Sequence, residues 1–160
     1  MPEPETRQWT ALAFDYGRTR IGVAAGDSVT RRARPLTTLH CGAAGIDWPA
    51  INRVVNEWRP AFLVVGVPLN ADGSRAELTR PAEDFARDLG KQHAIPVQTV
   101  DERFSSLEAA DELRTARASG WRSRRVRRED VDAAAACVIL ERWFDRTAQA
   151  NPAPSAPPTS

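Results

Sequence analysis

Ala61-Phe62-Leu63-Val64-Val65-Gly66-Val67 is an unbroken apolar run set between Pro60 and Pro68. It lacks the polar alternation of a half-exposed strand, so it reads as a strand covered on both faces. Such a strand needs helices packed against its sheet, and the surrounding chain supplies them. Two short strands, about Ala11–Tyr16 and Ile21–Ala25, flank a tight turn containing Gly17. A third lies at about Arg34–Leu39, and the short connections predict an antiparallel meander. Asp47 and Pro49 then open a helix whose Ile51, Val54, Val55 and Trp58 fall at i, i+3, i+4 and i+7. A second helix, carrying Leu78, Ala82, Phe85 and Leu89, runs to about His93. Val97–Val100 follows Pro96 as a strand and ends in Asp101-Glu102-Arg103. Ser105 and Glu108 make a capping-box pattern for a helix to about Ala118. A basic loop, Gly120 to Arg128, leads to a last helix over about Asp130–Arg146 with an alanine-rich inner face.

The expected fold class is therefore α/β: a mixed five-stranded sheet, its first three strands antiparallel, with flanking helices. A chain of 160 residues with 42% hydrophobic and 27% charged content suits one domain with a full core. The expected organisation is a flexible N-terminus over 1–9, one domain over 10–146 and a disordered Pro/Ala/Ser-rich tail over 147–160. No apolar run nears the roughly 18 residues of a membrane span, and Met1–Thr6 lacks signal-peptide character. A cytoplasmic monomer is the default expectation. Cys41 and Cys137 have no second Cys at ligand spacing, which points to buried free thiols rather than zinc. His40 and His93 have no neighbour that suggests a catalytic pair. Trp9, Trp121 and Trp143 suit core packing or base stacking.

Asp15 interrupts an apolar strand, where an ionised carboxylate is costly unless paired. Ligands in sheets of this type collect at the carboxyl ends of the parallel strands. Asp15 ends the first strand, Asp101 and Glu102 end the last, and Asp132 sits in the first turn of the final helix. Three carboxylates converging on one edge are what a hard divalent cation needs, and two such cations promote phosphodiester hydrolysis. Each acid also has a structural use. Asp15 could accept bonds from its turn, Asp101 or Glu102 could pair with Arg103 or cap a helix, and Asp132 could answer the helix macrodipole.

Net charge is only +1, yet 21 of the 22 basic residues are arginine, and seven lie between Arg114 and Arg128. Arg114, Arg117, Arg122, Arg124, Arg125, Arg127 and Arg128 suit phosphate oxygens, or else form a solvated loop.

The motifs Asp15-Tyr16-Gly17-x-x-Arg20-Ile21-Gly22-Val23-Ala24, Gly66-Val67-Pro68-Leu69-Asn70-x-Asp72-Gly73-Ser74, Val100-Asp101-Glu102-Arg103-Phe104-Ser105 and Val131-Asp132-Ala133-x-Ala135-Ala136 occur in this order. The chain resembles the YqgF/RuvX family over Ala11 to about Phe144. The resemblance implies an RNase H-like fold related to bacterial Holliday-junction resolvases. It implies a nuclease using Mg²⁺ or Mn²⁺ on structured nucleic acid. The substrate expected is pre-rRNA, at the 5′ end of pre-16S rRNA, with branched DNA at Holliday junctions as the alternative. In that reading Asp15 bridges the metals, and Glu102 (or Asp101) and Asp132 complete coordination. Water activated there attacks phosphorus. Arg20, Arg103 and the cluster Arg122, Arg124, Arg125, Arg127 and Arg128 hold phosphates, and Asn70 lies in a polar loop over the site.

Related resolvases usually carry an acid at the end of the strand beside the first, where this chain has Gly66-Val67-Pro68. Glu102, one strand further out, is expected to reach across the gap at Gly66. Asp101 would face the other way. Glu129, a turn before Asp132, is either a further ligand or surface. Two rival readings are an actin-like ATPase, from Asp15-Tyr16-Gly17-x-Thr19, and a nucleic-acid-binding module without turnover. The first normally needs two such domains, which this length does not allow.

Overall fold

The protein is represented by a computed structural model that describes residues 8–102 and 128–150. The predicted helix after Ser105, Trp121, and the arginines from Arg103 to Arg127 lie outside those residues. The elements are β1 (Thr10–Tyr16), β2 (Arg20–Asp27), β3 (Ala33–His40), α1 (Trp48–Trp58), β4 (Phe62–Val67), α2 (Thr79–His93), β5 (Val97–Asp101) and α3 (Arg128–Ala150).

The five strands form one sheet in the order β3-β2-β1-β4-β5. β1, β2 and β3 pair antiparallel, while β4 pairs parallel with both β1 and β5. This is the mixed sheet the apolar run and the meander predict. The apolar run lies inside the sheet, between β1 and β5, and Leu63, Val64 and Val65 are fully buried.

Strand alternation sorts the core into two layers. On one face Leu12, Phe14, Ile21, Val23, Leu63 and Val65 pack against Ile51 and Val55 of α1 and against Phe85 and Leu89 of α2. On the other, Ala11, Ala13, Val64 and Val100 pack against Ile139, Leu140, Trp143 and Phe144 of α3. Asp47 caps α1, its Oδ1 accepting from the Ala50 N–H at 3.1 Å. Arg59 closes the same helix in the left-handed region, at φ 47°.

α3 is longer than expected at both ends. It begins at Arg128, the last residue of the predicted basic loop and two residues before the expected start, and runs past Arg146 to Ala150, into the expected tail. No helix breaker stands in either stretch, and the first proline after Arg146 is Pro152. The seat of α3 is made of small residues. A methyl group added at Gly26 would meet Arg32 O at 2.7 Å and Phe144 Cε2 at 2.9 Å. Gly22 and Gly66, nearer the acids, make the same allowance.

Trp9 and Trp143 pack rather than stack on solvent, with ring centroids 6.0 Å apart. The Trp143 indole N–H donates to Gln98 Oε1 at 2.7 Å. Neither cysteine is in a disulfide, and both are half-buried rather than buried as expected. His40 closes β3, and His93 shares a 2.8 Å hydrogen bond with Asn52 Oδ1. Burial holds the His93 pKa below its ordinary value. Among the described residues, no helix is long and apolar enough to cross a membrane.

Candidate active site

β1, β4 and β5 run parallel, so their carboxyl ends share one edge of the sheet, and antiparallel β2 begins at that same edge. Asp15 lies there on the α3 face. Its register partner is Gly22 on the β2 side and Gly66 on the β4 side. An acid in a sheet interior thus has no side chain beside it on either neighbouring strand.

The two glycines make room for different things. At Gly66, an added methyl would lie 3.0 Å from the Glu102 carboxyl carbon and would overlap Ile139. The Glu102 N–H donates to Val67 O at 3.2 Å, which extends the β4–β5 pairing one residue past β5. Its side chain crosses the gap at Gly66, is 8% exposed, and hydrogen-bonds with Asp15. At Gly22, an added methyl would overlap the backbone of Asp132. The first turns of α3 therefore lie directly on β2 and carry Asp132 to the edge where Asp15 stands.

Burial pushes the Asp15 pKa up to about 6; its hydrogen bond with Glu102 pulls it down, and the charge of Asp132 pushes it up. Asp132 has its own partner: Arg20 Nε donates to Asp132 Oδ2 at 2.6 Å.

Asp101 does not join this group. Alternation puts it on the opposite face from Glu102, and it is only half-buried. Its backbone carbonyl accepts from Arg142 Nη1 at 2.9 Å. Arg142 thereby ties α3 to the end of β5 immediately before Glu102, a role the sequence reading missed. The available signal was a charged pair, Glu141-Arg142, inside the apolar stretch Cys137 to Phe144.

Asn70 stands in the loop after β4 and spends its amide within that loop. Its Nδ2 donates to Ser74 Oγ at 3.0 Å and to Arg75 O at 3.1 Å. Asp72 Oδ1 accepts from the Ser74 N–H at 2.9 Å. Of the two uses expected for these residues, the geometry displays chain turning. Arg103, Arg122, Arg124, Arg125 and Arg127 lie outside the described residues. Arg128 and Glu129 are the first two residues of α3.

The donor set suits a hard divalent cation in chemistry: carboxylate oxygens only, with a desolvated acid, Asp15, whose ionisation is costly until a cation balances it. The arrangement is not a finished cage. Among the described residues, no group of three His, Cys, Asp or Glu side chains is placed to hold a metal ion. Asp132 is turned toward Arg20.

Comparison with known proteins bears on this site. Residues 9–146 match the family described as "RuvX: Holliday junction resolvase". A protein of Xanthomonas campestris pv. campestris, named "Putative pre-16S rRNA nuclease", is 46% identical over 142 residues, covering 89% of this chain and 91% of its own length. A Paraburkholderia phytofirmans protein of the same name is 41% identical over 145 residues, covering 91% and 94%. Among solved structures, T. thermophilus RuvC in complex with a Holliday junction substrate aligns with TM-score 0.53 at 15% identity, covering 88% of this chain and 96% of that one. The yeast mitochondrial Holliday junction resolvase Ydc2 aligns with TM-score 0.52 at 11% identity, covering 87% and 79%. At such identities the likeness to these two structures is one of fold, an RNase H-like sheet with helices on both faces. With the family match running from before β1 to within α3, the chain belongs to the RuvX family.

Proposed function

We propose that this RuvX-family chain is a divalent-metal-dependent nuclease that processes the 5′ end of pre-16S rRNA. The observation that carries the reading is the contact of Asp15 with Glu102 across Gly66, with Asp132 delivered to the same edge by α3. Two relatives covering nine-tenths of the chain carry the pre-16S rRNA nuclease name, which supports RNA as substrate. Asp15, Glu102 and Asp132 would hold Mg²⁺ or Mn²⁺. Such an ion supplies charge stabilisation at a phosphoryl oxygen and an activated water at neutral pH.

The chain's own residues have separable tasks. Asp15 and Glu102 exclude water from the strand side of the site and hydrogen-bond to each other across Gly66. Arg142 fixes the end of β5, so Glu102 stays over Gly66. Arg20 at the acids, and Arg103 next to Glu102 in the sequence, contribute guanidinium groups for phosphate oxygens. Arg122, Arg124, Arg125, Arg127 and Arg128 come within ten residues of Asp132 in the sequence, and they bind backbone without reading bases.

The family description and the RuvC-like fold favour a second substrate, the four-way DNA junction. The test uses a folded pre-16S leader RNA and a four-way junction, each with Mg²⁺, with Mn²⁺ and with chelator. Wild-type protein should cut the RNA only with metal. Asp15→Asn with Asp132→Asn should keep the circular-dichroism spectrum and RNA binding while losing on the order of 10²- to 10⁴-fold in cleavage. Undiminished cleavage by that variant would overturn the mechanism. Preferential cutting of the junction would replace the substrate, and an inert wild type would leave a binding module.

A further inference from the structure

The Arg20–Asp132 pair stands where a cation would be needed. The contact is short and charge-assisted, 2.6 Å from Nε to Oδ2, with the two side chains 26% and 23% exposed. The fold holds the partners there. Arg20 opens β2 two residues before Gly22, and the Asp132 backbone lies on Gly22. Of the acids at this edge, half-buried Asp15 and buried Glu102 share a hydrogen bond. The charge of Asp132 is answered by a guanidinium from the protein itself, that of Arg20.

A guanidinium and a divalent cation make the same demand on the same carboxylate oxygen. A pair about one quarter exposed is open to exchange, because water can take over the hydrogen bonds as they break. We propose that Arg20 is a displaceable counter-cation. It holds Asp132 while no metal is bound, yields it to a divalent cation, and is thereby freed to take a phosphate oxygen of the substrate. This inference rests on the metal-dependent reading above and adds an order to it: the metal first, then the phosphate contact of Arg20. Competition also fixes the sign of a mutation. Removing a competitor tightens metal binding, whereas removing a residue that only orients a ligand loosens it.

The experiment measures Mn²⁺ affinity calorimetrically for wild type, Arg20→Gln, Arg20→Lys and Arg18→Ala, in low salt and without RNA. Arg18 pairs with exposed Glu77 at 2.5 Å and serves as a control for diffuse charge. Arg20→Gln should bind Mn²⁺ roughly three- to tenfold more tightly, as expected for loss of a charge-assisted competitor. Arg20→Lys should stay near wild type, and Arg18→Ala should not change. In ¹⁵N spectra of the wild type, the Arg20 Nε–H resonance should leave its ion-paired position as Mg²⁺ is added. Equal or weaker Mn²⁺ binding by Arg20→Gln overturns the proposal, as does the same gain in Arg18→Ala. If Arg20→Gln fails to fold, the resonance decides: no movement at saturating Mg²⁺ overturns the proposal. Wild-type protein that binds no Mn²⁺ would remove the metal-dependent reading itself.

Discussion

Asp15 is half-buried in a sheet, with glycine beside it on both neighbouring strands. The space is filled on one side by the Glu102 side chain and on the other by the backbone of α3. Such a carboxylate is costly to ionise, and the energetic consequence has a definite sign. The Asp15 pKa is raised from 3.8 to about 6. Folding therefore favours the protonated form, and the stability this contributes is present below about pH 4 and lost as pH rises through 6. The shift corresponds to about 3 kcal/mol at neutral pH, from roughly 1.4 kcal/mol per unit. Asp15→Asn cannot ionise, and its amide keeps a hydrogen-bonding group beside Glu102. Urea unfolding without metal should show the variant more stable than wild type by about 2–3 kcal/mol near pH 7.5, with the gap closing near pH 4. A gap independent of pH would mean that Asp15 is not ionising against a burial cost. Mg²⁺ should raise the midpoint of wild type and leave that of the variant in place.

At the scale of elements, the order of strands and helices was legible because periodicity and punctuation are local properties. The run from Ala61 to Val67 lies inside the sheet, and the Glu102 side chain lies at the gap left by Gly66. Both follow from alternation along strands whose neighbours could be guessed. Less was legible where the partners lie far apart in the sequence. Arg20 and Asp132 are 112 residues apart, and nothing local to either marks the pair. Gly22 was read as part of a motif, but its use is set by the depth at which α3 sits on β2. That use yields a prediction about the whole helix. Gly22→Ala would bring a methyl onto the Asp132 backbone, which cannot rotate away as a side chain can. α3 must lift at its N-terminal end, at a cost of about 1–3 kcal/mol for an overpacked site. Cleavage by the folded fraction should fall well beyond the loss in stability, since Asp132 moves with the helix. Gly42 is the contrast, with nothing within 4 Å of an added methyl, and Gly42→Ala should leave both cleavage and the unfolding midpoint unchanged. Equal behaviour of the two variants would remove the helix seat as the device that places Asp132.

For the molecule as a whole, the balance of charge is informative only when divided. The total is +1, which predicts little affinity for a polyanion. Seven arginines between Arg114 and Arg128 precede and open the helix that carries Asp132, while the acids of the site gather at the sheet edge. Substrate affinity and bond cleavage are therefore assigned to different parts of the chain and should separate experimentally. Each phosphate neutralised by an arginine releases counterions, so affinity falls with salt at a slope set by the number of contacts. Replacing Arg122, Arg124, Arg125 and Arg127 by Gln should lower the slope of log K against log salt by about 3, at roughly 0.7–0.9 per contact. RNA binding should weaken across unrelated sequences alike, because backbone contacts carry no base information. The cleavage rate at saturating RNA should stay near wild type, since none of the four is assigned to the reacting phosphate. An unchanged slope would place the cluster away from the RNA. An unchanged slope with a reduced rate at saturation would instead tie these arginines to the placement of α3 and Asp132.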